Sequence, residues 1–169
     1  MALTFESRNP DGSVTVQLPG EADTLDLGAR LAAALRPGLL VYLSGELGAG
    51  KTTLVRGCLR ALGYRGRVKS PTFTLVEVYR LSSLYLHHFD FYRFSDPREW
   101  IDAGFRDVFG GDNVCLVEWP ERVGDRLPAP DVALSLAYAT SGGGRELVAE
   151  AHSRAGEQCL TALAAMPAD

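Results

Sequence analysis

Apolar and polar positions alternate in short blocks along most of this chain, with two kinds of period. LTFESR and SVTVQL alternate with period two around the turn NPDG, which predicts a hairpin over residues 1–18. EADTLDLGARLAAAL spaces Leu25, Leu27, Leu31 and Leu35 as a helix that stops at Pro37-Gly38. LLVYLS is a continuous apolar run, the pattern of a strand buried on both faces. Helical spacing returns in TTLVRGCLRALG, with Leu54, Cys58, Leu59 and Leu62 on one side and Gly63 as the stop, so residues 39–62 form a strand, a loop and a helix.

TFTLVEVYRL and LYLHHFDFYR are rich in β-branched and aromatic residues and meet at Ser82-Ser83, which predicts two antiparallel strands. DPREWIDAGFRDVF predicts one or two short helices with Asp96 as cap, NVCLVEW a buried strand, and PERVGDRL a short helix opened by proline. VALSLAYAT and RELVAEAHS make a hairpin over 132–152 across SGGG, and EQCLTALAAM a last helix over 155–165. Loose segments are expected at 127–131, 141–144 and after Ala164. The 169 residues suit one domain spanning 1–169, and the mixture of elements makes it α/β with a mixed sheet.

The chain is 46% hydrophobic and 22% charged, as soluble domains are. No apolar run nears the ~20 residues needed to cross a bilayer. The first residues carry no basic-then-apolar signal pattern. A cytoplasmic location without membrane contact is therefore expected. Cys58, Cys115 and Cys159 are odd in number and far apart, so neither a disulfide framework nor a zinc site is expected. A net charge of −4 leaves no global footprint for nucleic acid, so RNA contact requires a local patch or a partner.

Between the apolar run and the helix stands Gly45-Glu46-Leu47-Gly48-Ala49-Gly50-Lys51-Thr52-Thr53, a full G-x-x-x-x-G-K-[ST] in its proper strand–helix setting. Glycines let the backbone approach an anion, and the helix offers its positive end to phosphates. Lys51 is one of only two lysines against fifteen arginines. A compact ammonium there neutralises β/γ-phosphate charge, the Thr52 hydroxyl coordinates Mg²⁺, and Thr53 reaches the α-phosphate. Hydrolysis needs a carboxylate on the magnesium side and a group that orients water. Two apolar strands end in acids, Asp90 and Glu118. Glu118 follows the more continuous run and is assigned to Mg²⁺, and Asp90 to water, although the two roles can be exchanged.

Thr72 in SPTFT lies where a switch segment senses the γ-phosphate. His88 and Tyr92 share the strand parity of Asp90, His88 as a packing or orienting residue, and Arg93 points to the other face. Trp119 either stacks on a base or packs. No N-K-x-D guanine reader is present, and D-x-x-G at Asp107–Gly110 is a weak match. No lid insertion accompanies Arg60, Arg65 and Arg67. The residues thus imply a small ATP-binding and ATP-hydrolysing protein. A small-molecule kinase and a non-hydrolysing nucleotide sensor remain as alternatives.

GELGAGKTT, VKSPTFTLVEVY, HHFDFYRFSDP, DAGFRDVF and CLVEWPERV, in this order over residues 24–126, resemble the bacterial TsaE (YjeE) family, as does Gly144-Arg145. Phe91 and Arg98-Glu99-Trp100 depart from its usual residues. The resemblance implies a P-loop NTPase-like three-layer fold with a mixed sheet containing antiparallel hairpins. It implies ATP/ADP and Mg²⁺ as cofactors, weak hydrolysis by the isolated protein, and activation in a complex. That complex makes threonylcarbamoyladenosine in tRNA. Its partners are a TsaD-type threonylcarbamoyl transferase and a TsaB-type scaffold, with tRNA reached indirectly through them. Lys51, Thr52, Thr72, Asp90, Glu118 and Trp119 match the family's motif positions.

Overall fold

The computed structural model describes residues 3–6 and 8–165. Residues 1, 2 and 7 of the expected first hairpin, and Met166 with the rest of the tail, lie outside them. One sheet organises the chain. Its strands are β1 (Thr4–Phe5), β2 (Val14–Leu18), β3 (Leu40–Ser44), β4 (Val76–Arg80), β5 (Tyr85–Asp90), β6 (Val114–Glu118), β7 (Val132–Tyr138) and β8 (Arg145–Ala151). Their spatial order is β1-β2-β8-β7-β3-β6-β5-β4. The four central strands β7, β3, β6 and β5 are parallel, and antiparallel pairs flank them on both sides.

Alternation along the central strands divides the core in two. Val41, Leu43 and Leu116 face α1 (Glu21–Ala34), α2 (Lys51–Ala61) and α4 (Arg154–Ala165). Leu40, Cys115 and Val117 face an aromatic layer that holds α3 (Glu99–Asp102) and a 3-10 turn at Phe105–Val108. The departures noted in the sequence fall in this second layer. Phe91 and Trp100 meet edge to face, with ring centroids 5.6 Å apart, and both are buried.

Two expectations need correction. The segment before β4 does not extend from Thr72. Residues 72–74 form a turn, Leu75 takes a φ of 69°, and the strand begins only at Val76. PERVGDRL is not a continuous helix but two 3-10 turns, Pro120–Arg122 and Gly124–Arg126, because Gly124 takes a left-handed φ of 67° between them.

Helix α2, which carries the lysine and both threonines of the motif, is set by a close crossing with α1. A Cβ added at Gly57 would lie 2.2 Å from the Leu25 carbonyl oxygen, and one at Gly28 would lie 2.2 Å from that of Leu54. Only hydrogen fits at either place. We expect Gly57→Ala to cost about 2–3 kcal/mol of stability, as overpacking against backbone does. The urea midpoint measures this; an unchanged midpoint would mean that the crossing is looser than described.

Candidate nucleotide site

The carboxyl ends of β3, β6 and β5 converge on one cleft. Beyond β3 the chain turns through residues 45–50 into α2. Gly45 has a φ of 145° and sits so close to β7 that a Cβ would lie 2.5 Å from the Leu136 carbonyl oxygen. Gly50, at a φ of 110°, caps α2. The first amides of the helix, from Lys51 onward, have no partner within it and form its positive end. A side chain at Gly45 would push the loop away from β7, which explains the glycine there.

Lys51 is buried, although it is charged. Its Nζ donates to the carbonyl oxygens of Gly45 at 2.5 Å and Glu46 at 2.9 Å. It also stands 4.3 Å from the centre of the Trp119 ring. Burial pulls its pKa below the ordinary lysine value, and the charges of Glu118, Asp90 and Glu121 oppose that pull. The loop therefore holds its cation ready, facing negative charge but with no carboxylate clamped onto it.

Asp90 and Glu118 are register partners at the ends of adjacent parallel strands, and both are buried. The Thr52 hydroxyl donates to both Glu118 oxygens, at 3.1 and 3.2 Å. His88 Nε2 lies 2.8 Å from Glu118 Oε2, and the Nε2-protonated tautomer donates there. Asp90 accepts the amide of Tyr92 at 2.8 Å and the Thr72 hydroxyl at 3.3 Å. Ser70 Oγ closes the chain. It donates to Asp90 Oδ2, and it lies 3.2 Å from Thr72 Oγ1 and 3.4 Å from Glu118 Oε2. One hydrogen-bonded network thus runs from the loop hydroxyl through both strand-end acids to the 70–72 segment.

A cleft of about 270 Å³ opens over this network. It is lined by Leu47, Gly48, Gly50, Lys51, Thr52, Thr53, Ser70, Thr72, Asp90, Tyr92, Glu118 and Trp119. The sequence-derived residues are therefore brought together, with two placed differently. Glu46 contributes its carbonyl to Lys51, and Ala49 lines a second cleft on the other flank of the loop. That second cleft, about 340 Å³, is walled by Leu18, Pro19, Thr24, Thr53, Gly144 and Arg145. Arg145 donates to the Gly48 carbonyl at 3.3 Å and lies over the Tyr138 ring, 4.1 Å from its centre. Ser70 and Thr24 went unassigned in the sequence, and Ser70 stands next to the proline of the quoted SPT. His88 orients Glu118, in keeping with the orienting role its parity suggested. Trp119 packs on Lys51 and on Tyr92, with ring centroids 5.0 Å apart in the latter pair.

The donor set suits a hard divalent cation. A hydroxyl and buried carboxylates are oxygen ligands, and two close acids without a cation repel each other. Among the described residues no cluster of three or more acid, histidine or cysteine side chains could hold a metal by itself. Magnesium, which keeps several waters and shares its ligands with phosphate, does not require one.

Residues 18–147 match the family model described as "Threonylcarbamoyl adenosine biosynthesis protein TsaE". A Haemophilus influenzae protein named tRNA threonylcarbamoyladenosine biosynthesis protein TsaE is 42% identical over 143 residues, which cover 82% of this chain and 90% of that protein. A Treponema pallidum protein of the same name is 39% identical over 120 residues, covering 71% and 88%. The crystal structure of Bacillus subtilis YdiB superposes with a TM-score of 0.77 at 27% identity, covering 95% of this chain and 96% of that one.

Proposed function

The chain belongs to the TsaE family, and from that premise we propose that it binds ATP with Mg²⁺, hydrolyses it slowly to ADP, and so serves the complex that makes threonylcarbamoyladenosine in tRNA. The observation that carries this reading is the continuous network Thr52–Glu118–Ser70–Asp90, which ties a phosphate loop to two buried acids. A loop that only bound nucleotide would not require the second acid.

In this reading the phosphates lie on the loop and the start of α2, and Lys51 meets their charge. Magnesium, when bound, supplies neutralisation of the β- and γ-phosphate oxygens. Thr52 and Glu118 would hold it, with His88 fixing the Glu118 rotamer. Asp90 orients the attacking water and takes its proton. Ser70 and Thr72 hold Asp90 in place and register the terminal phosphate. The nucleoside lies in the flanking cleft beside Arg145 and Thr24, leaving Trp119 to hold Lys51.

Among the described residues lining the main cleft, Lys51 is the sole cation. Phosphoryl transfer gains ~10³–10⁵ from an added arginine finger, so low turnover by the isolated chain is expected. The partners that would supply such a group are a TsaD-type transferase and a TsaB-type scaffold. Reconstitution tests this: ATP turnover should rise by at least about tenfold when both partners and tRNA are added. No rise would favour a non-hydrolysing sensor. Phosphate appearing on a small acceptor from a metabolite panel would make the chain a kinase. The described helices include none long and apolar enough to cross a membrane.

A further inference from the structure

Charge in this chain is segregated. Residues 56–93 carry seven arginines and lysines against two acids, a balance of +5, while the whole chain stands at −4. One of those two acids, Asp90, is buried in the nucleotide site. The excess cations gather where the segment after α2 passes the edge strand β4. There a groove of about 420 Å³ is lined by Arg67, Lys69 and Arg80, with one acid, Glu77, and by Phe73 and Val78. Arg65 is exposed nearby, and the Arg93 guanidinium carbon lies over the Phe73 ring, 4.0 Å from its centre. Among the described residues none of Arg65, Arg67, Lys69, Arg80 and Arg93 forms an ion pair. Phe73 is 80% exposed, far more than a core aromatic would be.

We propose that this groove binds RNA directly, taking backbone phosphates on Arg67, Lys69 and Arg80 and an unstacked base on the Phe73–Arg93 face. The chemistry favours RNA over an acidic protein surface. A protein interface wants a desolvated apolar centre. Here the exposed large apolar side chains along the groove are Phe73 and Val78 alone, set among cations. Spaced cations beside a free aromatic face are what a single-stranded segment requires, because phosphates need charge and every base has a π-face. The overall acidity of the chain does not prevent this, since the patch is local and Arg67, Lys69 and Arg80 outnumber Glu77, the one acid in its lining. The segment itself lies between the two: Thr72 lines the nucleotide cleft, Lys69 and Phe73 line the groove, and Ser70 borders both. The inference needs no nucleotide and stands apart from the ATP reading.

The test uses the full chain without nucleotide and a fluorescently labelled, unmodified tRNA transcript. Anisotropy should show saturable binding at about 50 mM salt that weakens roughly 20- to 40-fold by about 200 mM, as expected for about three neutralised phosphates. Arg67→Glu with Arg80→Glu should weaken binding at least about tenfold and reduce the salt slope by about 2. Phe73→Ala should weaken it about fivefold or more. The double variant should keep its affinity for ATP·Mg²⁺, which shows that it is folded. Absence of saturable binding at low salt, or an unaltered double variant, overturns the proposal. So does poly-glutamate of matched charge binding as tightly as the RNA, which would give the groove to an acidic protein. RNA binding in a wild-type chain that failed to bind ATP would sink the nucleotide reading and leave this one standing.

Discussion

Lys51→Ala is expected to remove ATP turnover, by at least about 10²-fold in the assembled complex, and to weaken ATP binding strongly. Removing one preorganised group from a reacting centre costs about 10²–10³. Lys51 should lie at or above that range because its charge is nearly dehydrated. Its ammonium is held by the carbonyls of Gly45 and Glu46 and covered by the Trp119 ring, so it reaches the cleft already oriented. Without it the site presents Glu118 and Asp90 to a polyphosphate with no cationic side chain beside them, and attraction is weakened. Lys51→Arg should rescue little, because a planar guanidinium does not fit between two loop carbonyls and an indole. Calorimetric ATP affinity and turnover with partners present are the readouts. Turnover within about threefold of wild type in Lys51→Ala would sink the phosphate-loop assignment.

The site was legible in the sequence to the extent that each residue announced itself locally. The loop was readable because strand, glycines and helix are contiguous, and the two acids because each ends an apolar run. What bound them together was not readable. Ser70 reaches Asp90 because the backbone turns back at Leu75, whose amide bonds to Pro71 and whose carbonyl accepts from Asp90. A leucine at positive φ gives no signal in a sequence. The reading therefore ran a strand through Thr72, where the chain makes a turn. Gly124 did the same to PERVGDRL, since its left-handed backbone breaks what proline and polar spacing describe as one helix. His88 was placed on the correct face by parity, but its partner Glu118 is on a different strand, and only the parallel β5–β6 register brings them together. Arg145 approaches Gly48 from 97 residues away through the β7–β8 hairpin. Pairing over that distance is a property of the sheet order, which no local pattern encodes.

The division of labour between the two acids is settled by a pair of substitutions that preserve shape. Asp90→Asn should leave the affinity for ATP·Mg²⁺ within about threefold of wild type and lower turnover by about 10²–10⁴, the contribution of a positioned proton acceptor. The reason lies in its partners. Asp90 is held by Ser70, Thr72 and the Tyr92 amide, none of which belongs to the phosphate loop, so an amide there disturbs neither the loop nor α2. Glu118→Gln should behave in the opposite way. Its carboxylate accepts from Thr52 on α2 and from His88, so losing its charge weakens the pull on a divalent cation held beside Thr52. ATP binding by this variant should require about tenfold more Mg²⁺, while binding without the metal should change little. If Asp90→Asn raised the magnesium requirement and Glu118→Gln did not, the roles would exchange, as the sequence alone allowed. Ser70→Ala separates the network from its members. It removes the hydroxyl that touches both acids and neither phosphate loop nor α2, so it should reduce turnover with little change in magnesium dependence. A Ser70→Ala variant with wild-type turnover would mean that Thr72 and the Tyr92 amide suffice to orient Asp90.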